Sequence, residues 1–361
     1  MNPKVLLLLR LELNHNRAHR NLIQMAPANL KMRALHLARA SASSPPELTT
    51  AFKSIPQLKP GYALVRVTYT SIQPSDRLNA QGLFPYTTYP RIPGRDYSGV
   101  VLDVADKSGA SSSWIGKSVY GTSGSTLGFD MDGTHAQYCL IPQDALVEKP
   151  ATISSLQAAT VGVPFTTAYI CISKAQVTKN DVVLVLGANG AVGSAASQMA
   201  QAIGCKQVLT AARRADSKPD IVIGSETPEK ILTEGVSAIT AGKGVDVVID
   251  TVGDLKLMEA ALEQLAMNGR YAWIAAPRSH SSKKITFDIF QAYRKEITML
   301  GCNSAARTIE ETADYLRSVN SWIAQGSLQA QAEGDFDTLK LDDAIENGYR
   351  KTAQKVVIDM S

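Results

Sequence analysis

Cysteine is scarce in this chain and badly placed for metal or disulfide work. Of 361 residues only four are cysteine, Cys139, Cys171, Cys205 and Cys302. None forms a C-x-x-C pair, which excludes a cysteine-rich zinc lobe and a disulfide framework and points to a reducing compartment. The five histidines, His15, His19, His36, His135 and His280, show no ligand spacing either. There is no Lys/Arg run and no basic-aromatic stripe, and a net charge of +4 is too small to argue for a nucleic-acid partner. The apolar run Val5–Leu9 is too short to span a membrane and is interrupted at once by Arg10 and Glu12, so no membrane partner is expected. What remains, 45% hydrophobic and 19% charged residues, is the composition of a soluble globular enzyme, with length enough for two domains.

Residues 1–31 differ in character from the rest of the chain. Lys4, Arg10, Arg17, Arg20 and Lys31 face one acid, Glu12, which has the flavour of a mitochondrial presequence. The competing reading is an N-terminal extension or a misassigned start, since Met25 and Met32 both precede a sensible domain start. A cytoplasmic location is expected, or a mitochondrial one if this segment is a presequence.

The most informative stretch is Asp181–Gly193. An unbroken apolar run, Val182–Leu186, reads as a strand buried on both faces of a parallel sheet. It breaks into Gly187-Ala188-Asn189-Gly190-Ala191-Val192-Gly193, after which Ser194–Gly204 reads as a helix. Gly187 and Gly190 permit a tight turn and close approach to a pyrophosphate, and Gly193 lets the helix pack against the sheet. The amides of the helix start, Ala191 and Val192 among them, then face the anion. The next strand, Gln207–Ala212, ends in Arg213-Arg214, where an NAD-preferring site places an acid. A guanidinium there binds a 2′-phosphate, so NADPH is expected over NADH; Asp216 is the competing feature. Further strands are expected at 220–223, 244–250, 269–277 and 297–303, with a helix over 255–267.

Upstream the chain is β-rich. Strands are expected at 32–37, 63–70, 97–104, 116–121 and 136–142, with a loop over 41–47 and a short helix entered at 71–77. Short strands between Gly/Pro turns at this spacing predict a small antiparallel barrel. Near the end, an amphipathic helix over 310–324 and a strand over 355–359 are expected.

The order of Pro93-Gly94-Arg95-Asp96-Tyr97-Ser98-Gly99-Val100-Val101, Gly133-Thr134-His135-Ala136-Gln137-Tyr138, Ala158-Ala159, Pro164–Ala168 and the glycine stretch resembles the medium-chain dehydrogenase/reductase superfamily. Within it the chain looks most like the zinc-independent quinone oxidoreductase (zeta-crystallin-like) and enoyl reductase branch. The resemblance covers about Met32 to Ile358. It implies an α/β architecture: a GroES-like β-barrel catalytic domain over 32–155 and 304–361, and a doubly wound Rossmann cofactor domain over 156–303. It also implies a homodimer. Where zinc alcohol dehydrogenases carry a metal-binding Cys this chain has Gln73, and where they carry the His of Gly-His-Glu it has Arg95. Zinc takes thiolate, imidazole or carboxylate, so no metal is expected. Gln354 stands where the family's closing strand has a glycine.

The expected activity is therefore hydride transfer from NADPH to a small-molecule quinone or α,β-unsaturated carbonyl. Developing charge spreads onto an oxygen in such acceptors, and a few donors can hold it without a metal. By resemblance Val252, Ala275, Ala276 and Asn303 line the nicotinamide, and Gln73 and Thr167 are polar groups beside it. Several enoyl reductases place a tyrosine proton donor where this chain has Phe84. Tyr86 is the leading substitute, with Tyr89 and Tyr69 as alternatives. Asp76 and Asp96 read as loop organisers rather than bases. The alternatives are an enoyl reductase acting in trans within a biosynthetic pathway, and a non-reducing NADPH-binding protein of the same fold.

Overall fold

The computed structural model describes residues 30–105, 113–215, 218–224, 227–277, 283–351 and 355–361. The expectations for residues 1–29, Asp216 and Gln354 lie outside them. The chain divides into two compact units: one comprises the residues up to Val163 with Ala305–Ala324 and Ala330–Ser361, the other Pro164–Ser304 with Gln325–Gln329.

In chain order the first unit holds β1 (Lys31–Ala38), β2 (Glu47–Ser54), β3 (Tyr62–Ile72), α1 (Pro74–Ala80), β4 (Tyr97–Ala105), β5 (Ser118–Gly121), β6 (Tyr138–Pro142) and β7 (Val147–Glu148). Helix α2 (Ser155–Lys174) begins in the first unit and ends in the second. Then come β8 (Val182–Leu186), α3 (Ala191–Ile203), β9 (Gln207–Ala212), β10 (Ile221–Val222), α4 (Pro228–Thr240), β11 (Val245–Asp250), α5 (Leu255–Glu263), β12 (Leu265–Trp273), α6 (Ile289–Arg294) and β13 (Thr298–Gly301). The return to the first unit brings α7 (Ile309–Ala324), β14 (Asp337–Lys340) and β15 (Val356–Asp359).

In the first unit the long strand β3 is the hub. It pairs antiparallel with β4, β6 and β15, in a sheet ordered β14-β15-β3-β4-β5-β7. Its alternating apolar positions, Ala63, Val65 and Val67, are fully buried, as a half-buried strand requires. Gly99 of β4 has no room for a side chain: an added Cβ would collide with the Arg66 carbonyl on β3. The hairpin β1–β2 forms a separate two-stranded sheet.

In the second unit six parallel strands run in the order β10-β9-β8-β11-β12-β13, the doubly wound order that reverses between β8 and β11 and opens a crevice at their carboxyl ends. Leu184, Leu209, Val245, Val248 and Tyr271 are fully buried in its core, with Leu232 and Val236 of α4 packed on them.

Two local expectations are corrected, and two elements go beyond the sequence reading. Helix α5 stops at Glu263 instead of reaching 267, because Leu265 joins the β11 ladder opposite Val245. Strand β12 accordingly starts and ends about four residues early, leaving Ala275 and Ala276 in the turn beyond Trp273. Strand β2 follows directly on the loop expected over 41–47 and is not anticipated from the sequence, its ELTTAFKS pattern lacking a buried face. Helix α2, long and apolar enough by composition to cross a membrane but with 78% of that window buried in the protein, escapes a sequence reading because Pro164 interrupts it.

Candidate active site

The dinucleotide cradle lies in the second unit. Gly187, at φ +79°, turns the chain at the end of β8, its N–H donating to the Ala211 carbonyl at 2.9 Å. Gly190 caps α3 with no side chain of its own, and among the described residues the N–H groups of Ala191, Val192 and Gly193 meet no acceptor. Three aligned donors at the positive end of a thirteen-residue helix form an anion site. Gly193 has no alternative: an added Cβ would overlap the Gly187 carbonyl. A dinucleotide pyrophosphate therefore fits the residues present.

Two edge turns meet this cradle. A side chain at Gly187 would press into Thr251 and Val252, and one at Gly253 would collide with the backbone of Ala275. Asp250 builds the first turn. Its buried carboxylate accepts from the N–H groups of Val252 (2.8 Å) and Gly253 (3.1 Å) and from the Tyr271 hydroxyl (3.0 Å). Burial raises its pKa against these bonds. Val252 is 44% exposed, Ala276 and Asn303 are exposed and Ala275 is partly covered. The structure thus brings Gly187, Val252, Ala275 and Ala276 together, with Asn303 following β13 at the same sheet edge. Arg213 and Arg214 are exposed directly after β9, and the Asn189 amide donates to the Arg214 carbonyl at 3.3 Å. That bond fastens the arginine loop to the glycine turn. Thr167, in α2, is 4% exposed and its hydroxyl has no partner, an uncommon state for a buried donor.

The polar cluster of the first unit grows from the ends of β3 and α1. The Gln73 amide donates to Asp96 Oδ2 (2.9 Å) and Ser71 Oγ (3.0 Å), while its backbone N–H donates to Asp76 Oδ2 (2.8 Å). Asp96 is fully buried and also accepts from the Val163 N–H (2.9 Å) and Ser71 Oγ (3.3 Å). Burial pushes its pKa up to about 6, opposed by the charge of Arg95 and the Val163 N–H bond. Arg95, 3% exposed, donates to the Gly124 carbonyl (3.2 Å) and Ser75 Oγ, and its Nε lies 3.7 Å from Asp76 Oδ1. His135 is held between the Ser71 carbonyl (3.1 Å) and the Tyr349 hydroxyl (2.9 Å), and burial lowers its pKa. Asp76 and Asp96 thus organise this network.

Both donor hydrogens of Gln73 are engaged inside the protein, so its side chain positions Asp96 rather than reaching outward. Tyr86 is 42% exposed and forms an aromatic triangle with Phe84 and the buried Phe129, at centroid distances of 5.4–5.5 Å. Tyr89 lies under the Arg39 guanidinium with its hydroxyl buried and unpartnered, and Tyr69 faces Asp359 on β15. Sequence reasoning missed Asn189, Thr251, Tyr271, Phe129 and Tyr349. An Asp closing a buried strand hints at the Asp250 turn, but nothing local signals Phe129 or Tyr349.

Residues 59–151 match the alcohol dehydrogenase GroES-like domain family, and residues 191–321 match the zinc-binding dehydrogenase family. A zinc-type alcohol dehydrogenase-like protein of Schizosaccharomyces pombe is 44% identical over 311 residues, 85% of this chain and 90% of that protein. The chain is a medium-chain dehydrogenase/reductase. Human quinone oxidoreductase is 27% identical over 305 residues, 81% of this chain and 87% of that protein. Among solved structures, an alcohol dehydrogenase superfamily protein from Novosphingobium aromaticivorans superposes with a TM-score of 0.72 at 24% identity, covering 91% of this chain and 99% of the other. A Sinorhizobium meliloti chain assigned as a zinc-binding dehydrogenase, solved with NADP bound, gives 0.72 at 19% identity over 92% and 100%. Membership makes the chain an oxidoreductase of a family that uses nicotinamide cofactors.

Zinc does not fit the two residues that the resemblance sets at metal-ligand positions. At the positions of two family ligands stand a carboxamide donating to Asp96 and a guanidinium paired with Asp76. Neither offers Zn²⁺ a lone pair of the kind it takes.

Proposed function

We propose that this dehydrogenase/reductase transfers hydride from NADPH to a quinone or an α,β-unsaturated carbonyl without a catalytic metal. The observation that carries the reading is the pair Gln73 and Arg95 at the family's metal positions, both engaged in the Asp76–Asp96 network. Bound at the glycine cradle, the nicotinamide would supply hydride. The chain's own part is to hold the pyrophosphate on the amides of Ala191, Val192 and Gly193, to seat a 2′-phosphate on Arg213 and Arg214, and to position the ring against Val252, Ala275, Ala276 and Asn303. Thr167, a buried hydroxyl lacking a partner, is the polar group this reading assigns to the nicotinamide end. The half-exposed pair Phe84 and Tyr86 is a platform for a planar acceptor. Turnover of NADPH with a quinone or enone, unaffected by a chelator, tests the reading; chelator-sensitive aldehyde reduction would defeat it.

Phe84 favours a quinone over an enoyl thioester, because a quinone acceptor has less need of the tyrosine proton donor that is missing there. An enoyl reductase acting in trans is the neighbouring reading, and NADPH binding without turnover on any acceptor would favour a non-reducing role. We place the protein in the cytoplasm, or in mitochondria if residues 1–31 are a presequence; imaging of the full chain and of a chain lacking them separates the two. A homodimer is supported by the edge strand β13, paired on one side only. Beside it the exposed Ile289, Phe290 and Tyr293 have the look of a covered face.

A further inference from the structure

A buried guanidinium needs an explanation. Arg95 is almost wholly out of solvent, yet its five N–H donors have few protein partners: the Gly124 carbonyl, the Ser75 hydroxyl and, at 3.7 Å, the Asp76 carboxylate. Its Nε–H has no acceptor within hydrogen-bond distance. Burying such a cation is costly unless opposite charge and hydrogen bonds accompany it; Asp76 and Asp96 supply the charge, and the hydrogen bonds are incomplete. The charge is also well aimed. The guanidinium carbon lies 5.5 Å from the ring centre of Phe129, and Phe129 stacks edge-on with Phe84 and beside Tyr86, the exposed corner of the triangle. Asp76 joins this cation to the other altered position, accepting from the Gln73 backbone while facing Arg95.

Resting on the function proposed above, we infer that Arg95 is a permanent organic cation in the place that zinc-binding members of the family give to their metal, and that its charge favours acceptors whose oxygen becomes anionic on reduction. As hydride adds to the acceptor carbon, the electron pair of the C=C bond shifts onto the carbonyl oxygen. NADPH leaves as NADP⁺, and a solvent proton neutralises the enolate or hydroquinone anion. Arg95 loses and gains no proton. It acts through space, behind the aromatic wall, with its field reduced but not cancelled by the Asp76 carboxylate 3.7 Å from its Nε.

The test uses the full chain carrying Arg95→Met, Arg95→Lys or the pair Gln73→Cys/Arg95→His, with folding checked by circular dichroism and bound metal measured after equilibration with Zn²⁺ and desalting. The expected results are no stoichiometric zinc in the wild type and about one zinc per chain in the paired variant, whose thiolate and imidazole join the Asp76 and Asp96 carboxylates. In kinetics, Arg95→Met is expected to lower kcat/KM for the acceptor by about fivefold, as a screened through-space interaction predicts, with the KM for NADPH unchanged, and Arg95→Lys to recover most of that loss. A folded paired variant without zinc, a methionine variant within twofold of wild type, or a lysine variant as impaired as methionine would each overturn the inference. A wild type inactive on every acceptor would instead defeat the reductase reading, and the zinc measurement alone would then decide the role of Arg95.

Discussion

Gly193 and the Arg213-Arg214 pair serve the cofactor reading for different physical reasons, and their substitutions separate them. A methyl at Gly193 has nowhere to go against the Gly187 carbonyl, so Gly193→Ala must displace the turn or the helix. An overpacking cost of about 1–3 kcal/mol predicts roughly 10–100-fold weaker binding of both NADPH and NADH by titration calorimetry. Removing the arginines should act on one cofactor only. Charge-assisted bonds are worth about 1.5–3 kcal/mol, so Arg213→Ala/Arg214→Ala is expected to raise the Kd for NADPH at least tenfold and leave that for NADH within about twofold. Equal losses for both cofactors would contradict the 2′-phosphate assignment. For Tyr86 the ring is the feature in view: Tyr86→Phe should keep quinone turnover within about threefold, and Tyr86→Ala should raise the acceptor KM about tenfold, as loss of a stacking surface predicts. The glycines and arginines are legible in the sequence because the strand–turn–helix context gives such residues a local meaning. Gln73 reads there as an outward-facing group because its partner, Asp96, is twenty-three residues away, and only the folded β3–β4 pair brings them together.

At the scale of elements, the ends of β3, α1 and β4 converge on Asp96, and this convergence has a pH signature. Its pKa is raised from 3.8 to about 6 in the folded chain. The folded state therefore keeps a proton that the unfolded state releases, and Asp96 becomes destabilising as pH rises from about 4 through 6, on the order of 3 kcal/mol once fully ionised. Asp96→Asn removes that titration but turns an NH₂ toward the donors of Ser71, Gln73 and Val163. The variant is expected to be less stable, and the gap to wild type should widen as pH falls from 7 to 4 in denaturant titrations. A gap that stays constant or narrows on acidification would contradict the assignment. The elements show unevenly what a sequence discloses. Strand β8 is readable because it is continuously apolar and almost wholly buried, and β11 because four of its six residues are apolar and buried. Strand β2 has no buried face to leave a pattern, and the α5–β12 boundary is blurred because Leu265 and Met267 continue a helical spacing while the backbone has already joined the sheet.

For the molecule as a whole, the edge strand β13 and the exposed Ile289, Phe290 and Tyr293 predict a concentration-dependent dimer. Ile289→Glu/Tyr293→Glu should shift the mass found by light scattering from dimer to monomer; an unchanged mass would refute that placement of the interface. The two-unit organisation is foreseeable from the glycine stretch and the β-rich segment before it. Acceptor identity is not, because the aromatic triangle and the Arg95 cation are assembled from segments that no local pattern connects. The activity proposed for this chain is metal-free, NADPH-dependent reduction of an electron-poor acceptor. Its most direct test is the initial rate of NADPH oxidation by the full chain against an ortho-quinone, a para-quinone, a short enone, a crotonyl thioester and a simple aldehyde, each repeated with NADH and after treatment with a zinc chelator. Turnover with quinone or enone, preference for NADPH and no effect of the chelator are expected. Aldehyde reduction that the chelator abolishes would contradict that proposal.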